Sequence, residues 1–470
     1  MGLRFRLLPL TLVLCGLALA NPGSPPPAAA DGAAADDLSQ RIDHIIVVVE
    51  ENHTFDSYFA NYPGANGTYT VDSFPIDPTT GAPVEPVPYS EGIRERVLAG
   101  ATPGKELLSN GRGAAEQAYN GGLMDGFVEA QVRRGIDPQI SMVYYSGEDV
   151  SGLWSIADRF VLFDNYFSSA LGDSLPNMLH LLAGTSNGIK TGTKETLAQI
   201  SDGVPTVFDQ LQAAGVSWKY YVAGLESLDG DRIAGGDYLR SDEPTPSQFY
   251  WAPILGMKRF WEDPQLNAGL ASQEQFFLDA AEGRLPAVSF VLPSPTDHPL
   301  APPTAPQQRL LSLVNAMGKS PQWGSSAMII VWDEWGGFYD HEPPPQVDEL
   351  GLGFRVPALL VSPWARRGYV SHVQYDHTSV LSFIAERFGL PPLSAREAAS
   401  NSFGDAFEFD GLPREAPALG LASIPTAPVG TPSQNRLTLM AYLGIFAVVG
   451  AVIGFLVWVP HIAGGREGSS

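Results

Sequence analysis

The sequence predicts an α/β fold with a mostly parallel central sheet flanked by helices. Several apolar, β-branched runs stand alone as short strands, among them residues 43–50 (Asp-His-Ile-Ile-Val-Val-Val-Glu) and 327–332 (Ala-Met-Ile-Ile-Val-Trp). Unbroken runs of this kind belong to parallel strands buried on both faces. Stretches with helical periodicity and glycine stops lie between them, such as 207–214 before Gly215 and 378–388 before Gly389. Strands alternating with helices mark a parallel α/β sheet.

The elements follow in order. Residues 1–20 read as an export signal, with Arg4 and Arg6 at the charged start, an apolar core over 7–17 and a small-residue cleavage site at Ala18-Leu19-Ala20. The single cysteine, Cys15, lies inside that signal, so the mature chain uses neither disulfides nor Cys–metal bonds. Residues 21–40 form a Pro/Ala linker. The strand over 43–50 runs into Glu50-Glu51-Asn52. In open α/β sheets the C-terminal strand ends carry the sites. Strand alternation lets only one of Glu50 and Glu51 face inward.

Residues 68–104 read as a turn-rich surface excursion, 149–158 as a helix and 160–167 as a buried strand. A short helix spans 175–183, with Pro176 suited to its first turn and Gly184 to its C′ position. Ser174 therefore stands at a helix start, where free N–H groups and the dipole's positive end favour a phosphate or an alkoxide. That position suits a nucleophile and a plain helix cap alike. Strands follow at 216–222 and 287–292, either side of an irregular, aromatic stretch at 229–264. A helix at 308–317, the strand at 327–332, another strand at 357–361 and the helix at 378–388 complete the domain, which spans 41–410.

Residues 411–436 carry five prolines and read as an extended spacer. Residues 437–459 hold no charge and are long enough to cross a bilayer, with Tyr442 and Trp458 suited to its interfaces. Together with the export signal, this transmembrane helix places the domain on the extracytoplasmic side of the cell membrane and 460–470 in a short inner tail. The 470 residues are 44% hydrophobic and 17% charged, a globular balance. A net charge of -23, from 28 basic and 51 acidic residues, excludes nucleic acid as a partner.

Two strands end in oxygen ligands, Glu51-Asn52 and Asp333-Glu334. Each pair is able to cap a turn. Both pairs, with Ser174 and the dipeptides Asp297-His298, Asp340-His341 and Asp376-His377, suit a hard divalent cation and phosphoryl transfer. Gly172-Asp173-Ser174-Leu175 also spells the GDSL signature of serine esterases, although the Asp-x-x-His of that family is missing downstream.

Residues 42–59 (Ile-Asp-His-Ile-Ile-Val-Val-Val-Glu-Glu-Asn-His-Thr-Phe-Asp-Ser-Tyr-Phe) resemble the opening motif of the bacterial phosphoesterase family, which holds non-specific phospholipases C and acid phosphatases on an alkaline-phosphatase-like fold. Further resemblance lies in Asn120-Gly-Gly-Leu-Met-Asp-Gly-Phe127, Ser174-x-Pro-Asn177, Asp297-His-Pro299, Trp332-Asp-Glu-Trp-Gly-Gly-Phe-Tyr-Asp-His341 and Tyr375-Asp-His-Thr-Ser379. The resemblance implies metal ligands at Glu51, Asn52, Asp333 and Glu334, a nucleophile at Ser174, and pocket histidines at His298, His341 and His377. It implies a divalent metal of unspecified identity and a phosphate-ester substrate, phospholipid included, with phospholipase C chemistry favoured over acid phosphatase. Three positions depart from the family: Trp335 and Asn110 where it often carries His, and Met178 where it often carries Arg. These departures favour the alternative of a degenerate surface protein that binds such ligands without turnover.

Overall fold

The five β-branched residues 45–49 form the middle of strand β1 (His44–Glu50) and are all fully buried. Burying each such side chain stabilises the fold by about 1.5–3 kcal/mol. Around β1 lie β2 (Val161–Phe163), β3 (Trp218–Val222), β4 (Leu270–Ser272), β5 (Val288–Val291), β6 (Ser326–Trp332), β7 (Ala358–Val361) and β8 (Tyr369–Ser371). Their spatial order is β8-β2-β7-β6-β1-β5-β3-β4. The computed structural model describes residues 38–420 except 68–73, 101–107, 201–202, 294–302 and most of 229–247. The export signal, residues 21–37 of the linker, the spacer beyond 420 and the membrane helix read at 437–459 lie outside the described residues. Among the described residues no helix is long and apolar enough to cross a membrane.

The sheet is mostly parallel, as expected. Strand β7 alone runs antiparallel to its neighbours, β2 and β6. A parallel return needs a crossover, usually helical. Residues 333–357 contain no helix, so the chain comes back beside β6 in the opposite sense. The run 160–167, expected as one strand, is split. Residues Val161–Phe163 stay in the main sheet, while Tyr166–Phe167 pairs with Tyr375–Asp376 in a separate ribbon. Asp164 causes the break: its carbonyl accepts from Arg355 Nη1 at 2.8 Å, and its carboxylate accepts from the Asn66 N–H at 2.8 Å.

The helices that matter are α1 (Phe55–Phe59), α2 (Arg112–Tyr119), α3 (Phe127–Val132), α4 (Ser174–Ala183), α5 (Val207–Ala214), α6 (Gln273–Ala281), α7 (Thr304–Lys319) and α8 (His377–Phe388). Helix α5 keeps its expected bounds, closed by a Thr206–Asp209 capping box and by Gly215 at φ +68°. Helix α4 ends at Gly184 with φ +70°. Helix α8 packs on α4, and α6 packs on α7, so β1 and β6 are covered on both faces. Residues 38–41, at the end of the expected linker, are already helical, and Leu38 is buried. At the other end Asn315 holds the backbone of Leu419 through both its amide atoms, at 2.8 and 3.0 Å. The first residues of the expected spacer are thus strapped to the domain.

Candidate active site

Register decides where the acidic pairs go. Strands β1 and β6 are adjacent and parallel, with Glu50 opposite Trp332. Pairing continues past the strand ends: the Asp333 N–H donates to the Glu50 carbonyl at 3.0 Å, and the His53 N–H to the Glu334 carbonyl at 3.0 Å. Glu51-Asn52 and Asp333-Glu334 therefore lie side by side, each residue at most 4% exposed. The Glu50 carboxylate takes an ion pair from Arg309 Nη1 on α7 at 2.7 Å, whereas Glu51 accepts from Asn52 Nδ2. The Asn52 N–H donates to Asp333 Oδ1 at 3.0 Å. Asn52 adopts a left-handed conformation, φ +58°. Gly336 lies so close that a Cβ there would stand 2.6 Å from the Asn52 carbonyl, which explains the first glycine of the Trp-Gly-Gly motif.

Burial pushes the Asp333 carboxyl up to about 6, against the Asn52 N–H, the nearby Ser174 hydroxyl and the Glu334 N–H, which pull it down. Its Oδ2 atom is buried without a donor at hydrogen-bonding geometry. Three carboxyl groups and one amide, buried at adjoining strand ends, form a hard-oxygen donor set, and the orphaned Oδ2 fits a divalent cation better than a fully bonded carboxylate would. The donor set thus fits a divalent metal.

Ser174 meets this set at Asp333. Helix α4 begins at Ser174 and its N-cap is Asp173, so the cap position belongs to the aspartate. The turn before it is locked by Asn177, whose Oδ1 accepts from the Ala170 N–H at 2.8 Å and whose Nδ2 donates to the Ala170 and Asp173 carbonyls at 3.1 and 3.0 Å. Met178 is fully buried and offers nothing to an anion.

The histidines take separate places. His298 lies outside the described residues. His377 is fully buried at the start of α8; it donates from Nε2 to the Asp333 carbonyl at 2.8 Å and accepts from the Tyr166 hydroxyl at Nδ1, 3.1 Å away. Burial lowers its pKa to about 4, so it is a neutral strut with both ring nitrogens engaged. The serine-esterase alternative therefore finds no free imidazole in His377. His341 bonds to Asp56 at 2.7 Å through Nδ1. Burial opposes its charged form, but Asp56 and Asp340 outweigh burial and raise its pKa. His53, which sequence reasoning passed over, is stacked between Tyr58 and Phe338 at 4.4 and 4.7 Å. Burial takes it to about 3, and Nδ1 lies 3.2 Å from the Glu51 carbonyl.

A second cluster, Asp56, Asp340 and His341, brings three possible metal-ligating atoms within 4.8 Å. Its charge is already met. Fully buried Arg355 donates from Nε to Asp340 at 2.9 Å and from Nη2 to Asp56 at 3.1 Å, and a guanidinium already there disfavours a second cation. Arg355→Met should leave two buried carboxylates without their partner and cost about 3–5 kcal/mol. Urea unfolding measures it, and a loss under about 1 kcal/mol would contradict this reading.

The α/β fold and its buried acidic site fit the family that the chain matches, hydrolases acting on phosphoric ester bonds. Residues 42–391 match the phosphoesterase family, and the chain belongs to it. It is 28% identical over 424 residues to phospholipase C B of Mycobacterium tuberculosis, covering 79% of this chain and 78% of that protein. It is 26% identical to non-specific phospholipase C6 of Arabidopsis thaliana, covering 79% and 73%. Non-hemolytic phospholipase C of Pseudomonas aeruginosa is 26% identical, over 78% of this chain and 57% of that longer protein. Among solved structures, a protein in the alkaline phosphatase superfamily from Vibrio parahaemolyticus is similar at 8% identity and a TM-score of 0.36, covering 80% of this chain and 79% of that one.

Proposed function

We propose that this chain is an exported, membrane-tethered, metal-dependent phosphoesterase with Ser174 as nucleophile and phosphodiesters of the phospholipase C type as substrates. One observation carries the reading: the Ser174 side chain meets Asp333, whose Oδ2 has no hydrogen-bond donor, beside Glu51, Asn52 and Glu334. Glu51, Asn52, Asp333 and Glu334 would hold a divalent cation, which when bound neutralises phosphoryl oxygens and favours the serine alkoxide. Ser174 Oγ attacks phosphorus in line, forming a new P–O bond as the ester P–O bond breaks. A histidine, His298 by preference, gives the leaving oxygen its proton. Water then hydrolyses the phosphoserine. His377 contributes by holding the Asp333 backbone, and His341 by its place in the Arg355 network.

The preference for diesters rests on charge. Met178 and Trp335, both buried, replace residues that are often Arg and His in the family, and Asn110 replaces a third often cationic group. A dianionic monoester loses those partners, while a monoanionic diester needs fewer. The named phospholipase C relatives support the same side. kcat/KM for an aryl phosphorylcholine should exceed that for an aryl phosphate monoester by roughly tenfold or more, and both activities should vanish with chelator. A clear preference for the monoester would make the enzyme acid-phosphatase-like; full activity in chelator would remove the metal from the mechanism. The tether read at 437–459 predicts that protease added outside intact cells releases active domain; a domain fully protected in intact cells would rule that topology out.

A further inference from the structure

Asn110 and Trp335 each depart from the family pattern, and the structure joins them. The Trp335 indole N–H donates to the Asn110 backbone carbonyl at 2.8 Å. The Asn110 side chain then donates from Nδ2 to Asn52 Oδ1 at 3.2 Å and to Glu334 Oε1 at 2.7 Å. Both bonds are buried. One amide nitrogen thus spans the β1 half and the β6 half of the ligand set. Asn52 carries the link on to Glu51 through its own Nδ2, and Glu334 Oε2 accepts from the Gly336 N–H at 2.8 Å. The indole is clamped in turn, with ring centroids 5.7 Å from Phe127 and 4.8 Å from Phe354.

We propose that Asn110 and Trp335 act as one positioning device, in which the indole N–H fixes the Asn110 backbone so that its amide sets the spacing and direction of Asn52 Oδ1 and Glu334 Oε1 toward a divalent cation. The inference rests on the proposed metal site. An amide or carboxylate oxygen offers two lone pairs, so each acceptor keeps one for the metal. Partners that orient ligands in this way typically account for 10–100-fold in metal affinity. Trp335 is buried against Phe127 and Phe354 and Asn110 carries no charge. Their effect should therefore appear in binding of the cation, whether or not any ester is present. A histidine at either position would have offered a proton or a phosphate contact; this pair gives rigidity instead.

The test is calorimetric titration of the full chain with Ca²⁺, Mg²⁺ and Mn²⁺, each alone, without substrate. Asn110→Ala should weaken the tightest of these by about 10–100-fold. Trp335→Phe, which keeps an aromatic ring and removes the N–H, should weaken it in the same direction by a smaller factor. The double variant should be no weaker than Asn110→Ala alone, because both changes cut one linkage. Asn110→Gln leaves Trp335 in place and lengthens the arm, so it should lose affinity as Asn110→Ala does; it carries the test if Trp335→Phe folds poorly. Unchanged affinity in the Asn110 variants, tighter binding in either, or losses that multiply in the double variant would overturn the device. A wild-type chain that binds none of the three ions but hydrolyses esters in chelator fails earlier, at the metal site itself.

Discussion

Ser174→Ala should lower kcat for an aryl phosphate ester by roughly 10⁴-fold or more, with the unfolding midpoint unchanged. The expectation follows from two features of α4. The helix takes its N-cap from Asp173, and the turn before it is locked by Asn177, so removing the hydroxyl leaves the scaffold in place. The same hydroxyl lies against Asp333 at the end of β6, beside the proposed metal ligands. Retention of more than about a tenth of wild-type kcat would assign Ser174 a purely structural role. A fall in activity with an equal fall in melting temperature would point to misfolding, which far-UV circular dichroism separates from loss of chemistry.

Asp333→Asn should uncouple stability from metal binding. The amide oxygen still accepts from the Asn52 and Glu334 N–H groups that now bond Oδ1 at 3.0 and 2.8 Å. What disappears is the buried charge. Burial raises the Asp333 carboxyl from its ordinary 3.8 to about 6, so at pH 7 that charge costs the metal-free fold about 3 kcal/mol relative to an exposed aspartate. Between those two values the folded chain holds a proton that the unfolded chain has released. This group's contribution therefore falls as pH rises through the window and is lowest above about pH 6. The metal-free variant should be at least as stable as metal-free wild type at pH 7, with less loss on going from pH 4 to pH 7. Its metal affinity should fall by about 100-fold or more. Denaturation in chelator and calorimetry measure the two halves. A variant less stable than wild type in chelator would mean that the carboxylate is not strained there.

The elements that carry this site were legible where chemistry changes abruptly along the chain. Residues 45–49 and 327–331 could only be buried strands, and the acids directly after each run could only be functional or capping. Glu50 against Glu51 was not decidable from alternation alone, because the answer lies in Arg309, 259 residues away. The sense of β7 was hidden for a similar reason: it depends on the lack of a helix across 333–357. Asn110 read as a lost histidine. Its contacts run to Asn52, 58 residues back, and to Glu334, 224 residues on, and no local pattern records them. The family resemblance makes His377 a pocket histidine; both its nitrogens are occupied by Tyr166 and the Asp333 carbonyl, contacts that no local pattern records.

The buried guanidinium of Arg355 also sets an order of events during synthesis. It joins Asp56, just after β1, to Asp340, just after β6, and takes in the carbonyls of Asn66 and Asp164 besides. A ribosome makes Glu51 and Asn52 early and Arg355 some three hundred residues later. Until that arginine has emerged, Asp56 and Asp340 lack the guanidinium that joins them, and the loop to be closed is nearly as long as the domain. A nascent chain stopped before Arg355 would own every ligand of the proposed metal site but lack the guanidinium that ties the segment after β1 to the segment after β6, so residues translated late in the domain govern when its first motif is fully held in place.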